Sequence, residues 1–160
     1  MYKSTDTHSV LRESLTHLQL DDATTEAIIA NYSYRLSNAK LDAIDSPEKA
    51  AAQFDNIRDK KQEHFAMITL DGARNVIKKH TVTIGTLMSS LVHPREVFSR
   101  AIKDNAASII IAHNHPSGNL NISECDREVT RRIKQAGEIM GIHLDDHIIV
   151  NKAGAFVSAM

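Results

Sequence analysis

The first 60 residues repeat apolar positions with the period of a helix. A first helix is predicted from four such positions, Val10, Leu11, Leu15 and Leu18. A second is predicted from about Asp22 to Leu36, with Asp22 as its N-cap. Its expected buried residues are Ala27, Ile28 and Leu36. A third begins with Ser46 as N-cap and Pro47 at the first helical position, and runs to about Asp59. Its expected buried residues are Ala50, Ala51, Phe54 and Ile57.

Beyond residue 60 the pattern changes to short apolar runs separated by turns. Strands at Glu63 to Leu70 and about Asn75 to Ile84 flank the turn signal Asp71-Gly72 and predict a hairpin. Helices are predicted from Pro94 to Lys103 and from Ser123 to Met140. The remaining strands are predicted at Ser108 to His113, Ile142 to Val150 and Ala155 to Ser158. The order ββαβαββ predicts an α/β fold in which a sheet packs on helices.

Glycine usage divides the chain in two. All six glycines lie beyond residue 71, so the first part is expected to be helical and the second to be rich in turns. Segment 38–45 is predicted to be a linker, and 85–92 a connection between elements. Gly141 suits a left-handed cap at the end of the long helix. The predicted organisation is an N-terminal helical segment, residues 1–45, followed by the main domain, residues 46–160.

Composition narrows the class of protein. The 160 residues suit one domain with a small appendage. The net charge of −1 gives no strong attraction to nucleic acid or to an anionic membrane. No apolar run is longer than four residues, as at 109–112, which is far too short to span a membrane. The N-terminus is polar and lacks a signal-peptide pattern. Cys125 is the sole cysteine, so no internal disulfide forms, and a cytoplasmic location is expected.

Candidate chemistry lies after the third predicted strand of the sheet. His113 and His115 are spaced i and i+2, and Pro116 favours an extended backbone at His115, so both imidazoles can point the same way. Ser123 starts the long helix, and Asp126 falls in its exposed first turn. Two histidines and a carboxylate form a three-ligand set for one zinc ion, with water in the fourth position.

Each of these residues also has a structural interpretation. His113 can end a strand, and His115 can lie in a loop without binding anything. Asp126 can be the far half of a capping box with Ser123. The Ser123 hydroxyl serves both interpretations, because it can accept from a backbone N–H and still donate its hydrogen into the site.

The spacing His-x-His, seven residues, Ser, two residues, Asp resembles the JAMM (MPN+) metalloprotease motif. The surrounding segments resemble the RadC family, over about residues 60–158; they are Val92–Phe98, His113–Gly118 and Asp146–Val150. This resemblance implies the MPN fold, a deaminase-like α-β sandwich around a mixed sheet, with one zinc ion per chain. It implies His113, His115 and Asp126 as ligands and Ser123 as a polar helper. It also implies an upstream glutamate as general acid and base, and Glu63 matches that position.

Other residues near the motif have weaker support. The residues alone do not select Glu63 over Glu96 as the acid and base. Asp146 is a candidate carboxylate partner for a zinc-bound imidazole. Cys125 is expected to pack rather than to bind metal, because it is on a different side of the helix from Asp126. The basic positions of the long helix are interpreted as a solvated face.

Three functions are compatible with these patterns. The resemblance implies a zinc metallopeptidase that cleaves peptide or isopeptide bonds, and in JAMM relatives the bond is often at the C-terminus of a ubiquitin-like protein. A DNA-repair accessory is the first alternative, since larger RadC-like proteins carry an N-terminal helix-hairpin-helix module. The N-terminal helices here are net acidic and lack glycine, which argues against DNA binding. A non-catalytic zinc-stabilised module is the second, and the presence of Glu63 and Ser123 argues against it. Oligomeric state is open.

Overall fold

A computed structural model describes residues 12–13, 15–18, 20–85 and 92–160, with the backbone alone described for 17 and 34–42. The chain divides into two compact units, Met1–Asp42 and Ala43–Met160. Within the described ranges no helix has both the length and the apolar character needed to cross a membrane.

The described part of the first unit includes a 3₁₀ turn at Thr16–Leu18 and a long helix, α1 (Asp22–Asp42). Val10 and Leu11 of the first predicted helix lie outside the described residues, as does the side chain of Leu36. Helix α1 enters the predicted linker because no glycine or proline interrupts residues 22–42.

Two details of α1 differ from the sequence-based prediction. The N-cap is Asp21 rather than Asp22, because the carboxylate of Asp21 accepts the backbone N–H of Thr24 at 2.8 Å. Among the side chains of α1 that the structure describes, residues 22–33, the buried one is Ile29, whereas Ala27 and Ile28 are exposed. The buried position therefore differs from the predicted ones, because a short apolar cluster on a largely polar helix does not specify which side chain is buried.

The residues of the second unit that the structure describes form three α-helices and five strands. The helices are α2 (Pro47–Ala52), α3 (Pro94–Lys103) and α4 (Glu124–Met140). The strands are β1 (His64–Leu70), β2 (Val76–Ile84), β3 (Ser108–Asn114), β4 (His143–Val150) and β5 (Phe156–Ser158). The predicted order ββαβαββ is confirmed. Residues 86–91, inside the predicted connection, lie outside the described residues.

Local signals account for most helix ends. Ser46 caps α2, and Ser123 caps α4, as predicted. Gly141 ends α4 in the left-handed region at φ 69°. Helix α2 is shorter than predicted, because the backbone tightens to i→i+3 hydrogen bonds after Ala52 and continues as a 3₁₀ turn, Asp55–Ile57.

The strand order in the sheet is β2-β1-β3-β4-β5. Strand β3 lies at the centre, antiparallel to β1 and parallel to β4, and all seven of its residues are buried. The other two pairs, β1 with β2 and β4 with β5, are antiparallel. The parallel pair requires a crossover, which α4 provides.

Each face of the sheet has its own apolar core. Alternate residues of β3 divide between them, with Ile109 and Ile111 on one face and Ile110 and Ala112 on the other. The first core includes side chains of α3 and α4, and the second includes side chains of α2 and the following 3₁₀ turn. The predicted α/β sandwich around a mixed sheet is confirmed. His113 continues the first face, beneath α4.

Gly137 tests the packing of α4 against the start of β4. A Cβ atom at this position would overlap the carbonyl oxygen of Ile142 and lie 3.3 Å from Cζ of Phe98. Gly137→Ala is therefore expected to lower the free energy of unfolding by about 1–3 kcal/mol, although alanine normally stabilises a helix relative to glycine. Urea unfolding measures the change. Gly72→Ala is the matched control, because its Cβ meets open space. Equal stability of the two variants would contradict this packing.

Candidate metal centre

Three potential ligands converge at the end of β3. His113 ends the buried strand, His115 follows it, and Asp126 lies in the first turn of α4. One ligand atom from each lies within 4.8 Å of the others. Nε2 of His113 is 3.0 Å from Nε2 of His115 and 3.1 Å from Oδ1 of Asp126. Nε2 of His115 is 3.9 Å from Oδ2 of Asp126. The predicted convergence of the three side chains is thus present.

Continued strand pairing explains why the two histidines face the same way. The N–H of His115 donates to the carbonyl of Val150 at 3.0 Å, which extends the β3–β4 pairing beyond the formal end of β3. Residues i and i+2 of an extended backbone share a face. His113 is wholly buried, whereas the side chain of His115 is 14% exposed and borders solvent.

A capping box holds Asp126 in place. Its backbone N–H donates to Oγ of Ser123 at 3.1 Å, and its Oδ2 accepts from the N–H and the hydroxyl of Ser123 at 2.8 and 2.7 Å. Oδ1 is left to face His113. The two interpretations of Asp126 are therefore compatible. Oδ2 serves the capping box, and Oδ1 is available as a metal ligand. Burial opposes ionisation, whereas the nearby His113 imidazole and the two hydrogen bonds from Ser123 favour it, and the pKa of Asp126 lies well below its usual range.

The donor set fits a small tetrahedral cation. Nδ1 of His115 lies 2.6 Å from the carbonyl oxygen of Asn119, which can only accept, so Nδ1 carries the hydrogen. Nε2 of neutral His115 then presents a lone pair toward the acceptor oxygens of Asp126. Zinc bonds of about 2.0–2.1 Å place tetrahedral ligand atoms roughly 3.3 Å apart. The two observed separations between the candidate ligand atoms, 3.0 Å between the two Nε2 atoms and 3.1 Å from Nε2 of His113 to Oδ1 of Asp126, lie close to that value.

Behind His113 lies a second buried imidazole, that of His147 on β4. Nδ1 of His113 is 2.9 Å from Nε2 of His147, and Nδ1 of His147 is 2.6 Å from Oγ1 of Thr130 on α4. The ring of Phe65 lies parallel to that of His113, with centroids 6.3 Å apart. Burial, together with the neighbouring His113, lowers the pKa of His147 to about 3. His147 is therefore neutral at physiological pH.

The structure places Asp146 away from this cluster, which corrects its assignment as partner of a metal-bound imidazole. Its Oδ1 accepts from the hydroxyl of Ser158 at 2.6 Å and from the N–H of His147 at 2.7 Å. Asp146 pairs with Ile110, on the sheet face opposite His113. An irregularity in the β3–β4 pairing, after Ile109, sets which β4 residues face α4. His147 occupies the position that the sequence pattern had assigned to Asp146.

Glu63 lies immediately before β1, on the edge of the site. Its carbonyl accepts the N–H of Gly85 at 2.9 Å, and its side chain is half-buried. Phe65, two residues further, faces His113, so alternation places Glu63 on the same face of the sheet. Its charge adds to burial and to Asp126 in raising the pKa of the Cys125 thiol, which places the carboxylate within electrostatic reach of the start of α4.

The other glutamate left open by the sequence, Glu96, has a different environment. It lies in the first turn of α3, where Oε1 is 3.3 Å from Nε of Arg95 and Oε2 is 3.7 Å from a guanidinium nitrogen of Arg100. The structure thus pairs Glu96 with arginines of its own helix and leaves Glu63 as the glutamate on the face of His113.

Asn114, between the two histidines, was not singled out by the sequence pattern. Its buried amide accepts from the N–H of His64 at 2.7 Å and donates to the carbonyls of Lys60 and Gln62, each at 3.1 Å. One side chain therefore ties the segment that carries Glu63 to the strand that carries His113. A buried asparagine between strand residues is the only local signal for this role.

Two further expectations concern α4. Cys125 packs against the first core, as expected. Two of the basic residues are exposed and pair with carboxylates one helical turn earlier, Arg127 with Glu124 and Arg131 with Glu128. Both pairs belong to a solvated helix face.

An α-β sandwich that presents two histidines of one strand end and an aspartate of the next helix to a single cation position defines a JAB-type domain. The family model of the RadC-like JAB domain matches residues 44–160. The chain therefore belongs to the RadC family.

Curated relatives of this chain carry the name UPF0758 protein. The relative from Pelobacter propionicus is 46% identical over 117 residues, which cover 72% of this chain and 50% of the relative. One from Staphylococcus haemolyticus is 37% identical over 153 residues, covering 86% and 67% respectively. One from Methanospirillum hungatei is 57% identical over 93 residues, covering 58% and 41%. The chain thus spans about half the length of the curated relatives it matches.

The burial of neutral His147 predicts a pH dependence of stability in metal-free protein. The unfolded chain binds a proton at this residue below about pH 6.5, whereas the folded chain does so only near pH 3. The free energy of unfolding is expected to fall as pH falls through that window, by up to about 1.4 kcal/mol per pH unit from His147. His147→Gln should flatten the slope, and His143→Gln, at an exposed position, should not. Identical slopes in all three proteins, measured by urea unfolding with chelator, would refute the assignment.

Asn114 is expected to stabilise the fold through its three hydrogen bonds. Asn114→Ala leaves partly buried backbone groups of residues 60–64 without this partner, and an unsatisfied buried group costs about 1–3 kcal/mol. The free energy of unfolding should fall by that amount, and amide hydrogen exchange at His64 should accelerate. Asn56→Ala, at an exposed position, is the control. Unchanged exchange at His64 in Asn114→Ala would contradict the anchoring role.

Proposed function

We propose that this chain is a zinc-dependent hydrolase of peptide or isopeptide bonds. The observation that carries the proposal is the convergence of His113, His115 and Asp126 on one position, with His115 and Ser123 bordering solvent. A catalytic zinc site has three protein ligands and an open fourth position. Membership of the RadC family supports the proposal. The names of the relatives state no activity, so the support for this chemistry comes from the site itself.

The ligands in this proposal are Nε2 of His113, Nε2 of His115 and Oδ1 of Asp126. Zinc, when bound, supplies a Lewis acid for the scissile carbonyl and a water whose pKa is lowered to about 7. Ser123 fixes the remaining oxygen of Asp126, so the carboxylate approaches through one oxygen only.

Glu63 is the general acid and base in this proposal. Its carboxylate takes the proton of the attacking water and returns that proton to the nitrogen of the leaving amine. The position of Glu63 on the face of His113, and its anchoring through Asn114, support this role. The Ser123 hydroxyl donates to Asp126, so its first role is to position that ligand. An oxyanion contact from Ser123 requires the hydroxyl to rotate toward the substrate.

Metal content of the full chain is the first test. Elemental analysis of untagged wild-type protein should find one zinc ion per chain, and Asp126→Ala should lose it. Asp146→Ala is the matched control, because that carboxylate faces the other side of the sheet and should leave zinc bound. A folded wild-type protein that takes up no zinc after it is added back would refute the proposal.

Hydrolysis separates an enzyme from a non-catalytic zinc module. Internally quenched peptides and a lysine-linked isopeptide serve as probes. Glu63→Gln should keep zinc but lose about 10²–10⁴-fold in turnover, whereas Glu96→Gln should retain activity, because Glu96 lies on α3 among arginines. Full activity in Glu63→Gln would rule out its role. Zinc binding without cleavage of any probe by the wild type would favour the non-catalytic module.

A further inference from the structure

A chain of hydrogen bonds leads from the backbone of α4 to the metal-facing histidine. Oγ1 of Thr130 lies 2.7 Å from the carbonyl oxygen of Asp126 and 2.6 Å from Nδ1 of His147. Nε2 of His147 lies 2.9 Å from Nδ1 of His113. All four residues are buried, so water does not rearrange this chain. Its direction decides which nitrogen of His113 carries a hydrogen.

The oxygen pair at the start of the chain sets that direction. Two oxygens 2.7 Å apart need a hydrogen between them, and a carbonyl oxygen has none to give. The Thr130 hydroxyl therefore donates to the backbone carbonyl oxygen of Asp126. Its single hydrogen is then used, so the contact of 2.6 Å with His147 requires a hydrogen on Nδ1 of His147.

The imidazole of His147 transmits the direction to His113. Its two nitrogens contact a hydroxyl and another imidazole, and its ring is wholly buried, so a second ring hydrogen would place an unpaired charge in the core. Nε2 of His147 is therefore an acceptor. Nδ1 of His113 must donate to it, and Nε2 of neutral His113 keeps its lone pair.

We infer that Thr130, acting through His147, holds His113 in the tautomer with its hydrogen on Nδ1, so that Nε2 is free to bind a cation. Neither Thr130 nor His147 touches the metal position, so both are positioning residues. The reverse direction would place a hydrogen on Nε2 of His113, where it would block metal binding. The inference rests on the metal site of the proposed function, but it concerns the hydrogens of the protein and not hydrolysis.

Thr130→Val and Thr130→Ser form the matched pair that tests it. Valine keeps the shape of threonine but removes the hydroxyl, so His147 loses the acceptor that fixes its hydrogen. Serine keeps the hydroxyl and loses only a methyl group. Zinc affinity, measured by competition with a chromophoric chelator, should fall about 10-fold or more in Thr130→Val and stay near the wild-type value in Thr130→Ser. Equal affinity in Thr130→Val and wild type would overturn the inference, since a packing role predicts that serine is the more harmful change.

Ring ¹⁵N spectra of metal-free wild-type protein give a test that needs no variant, in case Thr130→Val does not fold. His147 is expected to carry its hydrogen on Nδ1 and none on Nε2, with a scalar coupling across the hydrogen bond between Nδ1 of His113 and Nε2 of His147. A hydrogen on Nε2 of His147 would overturn the inference.

The two proposals fail separately. Wild-type protein that binds no zinc but shows the expected hydrogen on His147 refutes the proposed function and upholds the tautomer. Protein that binds zinc and hydrolyses the probes normally, but carries the hydrogen on Nε2 of His147, upholds the proposed function and refutes the tautomer.

Discussion

The candidate centre brings acceptor atoms together in a place that water hardly reaches. Both oxygens of Asp126 face the Nε2 atoms of His113 and His115, and Asp126 and His113 are wholly buried. Such a cluster costs free energy unless a cation or additional protons balance it. The rest of the domain must therefore hold these groups in position against their own electrostatics. Binding of a cation would return part of that free energy, which couples metal binding to stability.

One β-α-β unit of the domain holds these buried groups in position. Strand β3 supplies His113, helix α4 supplies Asp126 and Thr130, and strand β4 supplies His147. Strand β3 is paired on both sides and has apolar cores above and below it, so its end is among the most constrained points of the sheet. The α4 terminus is fixed by the capping box of Ser123. Sites built on rigid elements hold their geometry better than sites built on loops.

Local chemistry made the larger part of the fold predictable. Ser46-Pro47 and Gly141 act through the backbone of one or two residues, so the sequence alone places those helix ends. The spacing of His113, His115 and Asp126 likewise depends only on an extended strand, a reversal and a helix start. These features need no knowledge of distant partners.

What could not be predicted depends on contacts between distant segments. On α1, Ile29 rather than Ile28 is buried, and the largely polar sequence of that helix does not mark the position. Whether Asp146 or His147 faces the site depends on an irregularity in the pairing of β4 with β3, and a shift of one residue moves a side chain to the other face of the sheet. Asn114 bonds to segment 60–64, about 50 residues away in the sequence, and no local pattern predicts that contact.

The choice of an imidazole rather than a carboxylate behind His113 has an electrostatic consequence. A carboxylate in that place would lie beside buried Asp126, where like charge and desolvation both disfavour it. The strand irregularity turns Asp146 to the opposite face, toward Ser158, and brings neutral His147 inward. The carboxylate of Asp126 is then the negative charge at the centre, with no second carboxylate in the place of His147. A divalent cation held there would keep net positive charge for a polarised carbonyl in the open position. His147 thus orients His113 without neutralising the centre that His113 helps to build.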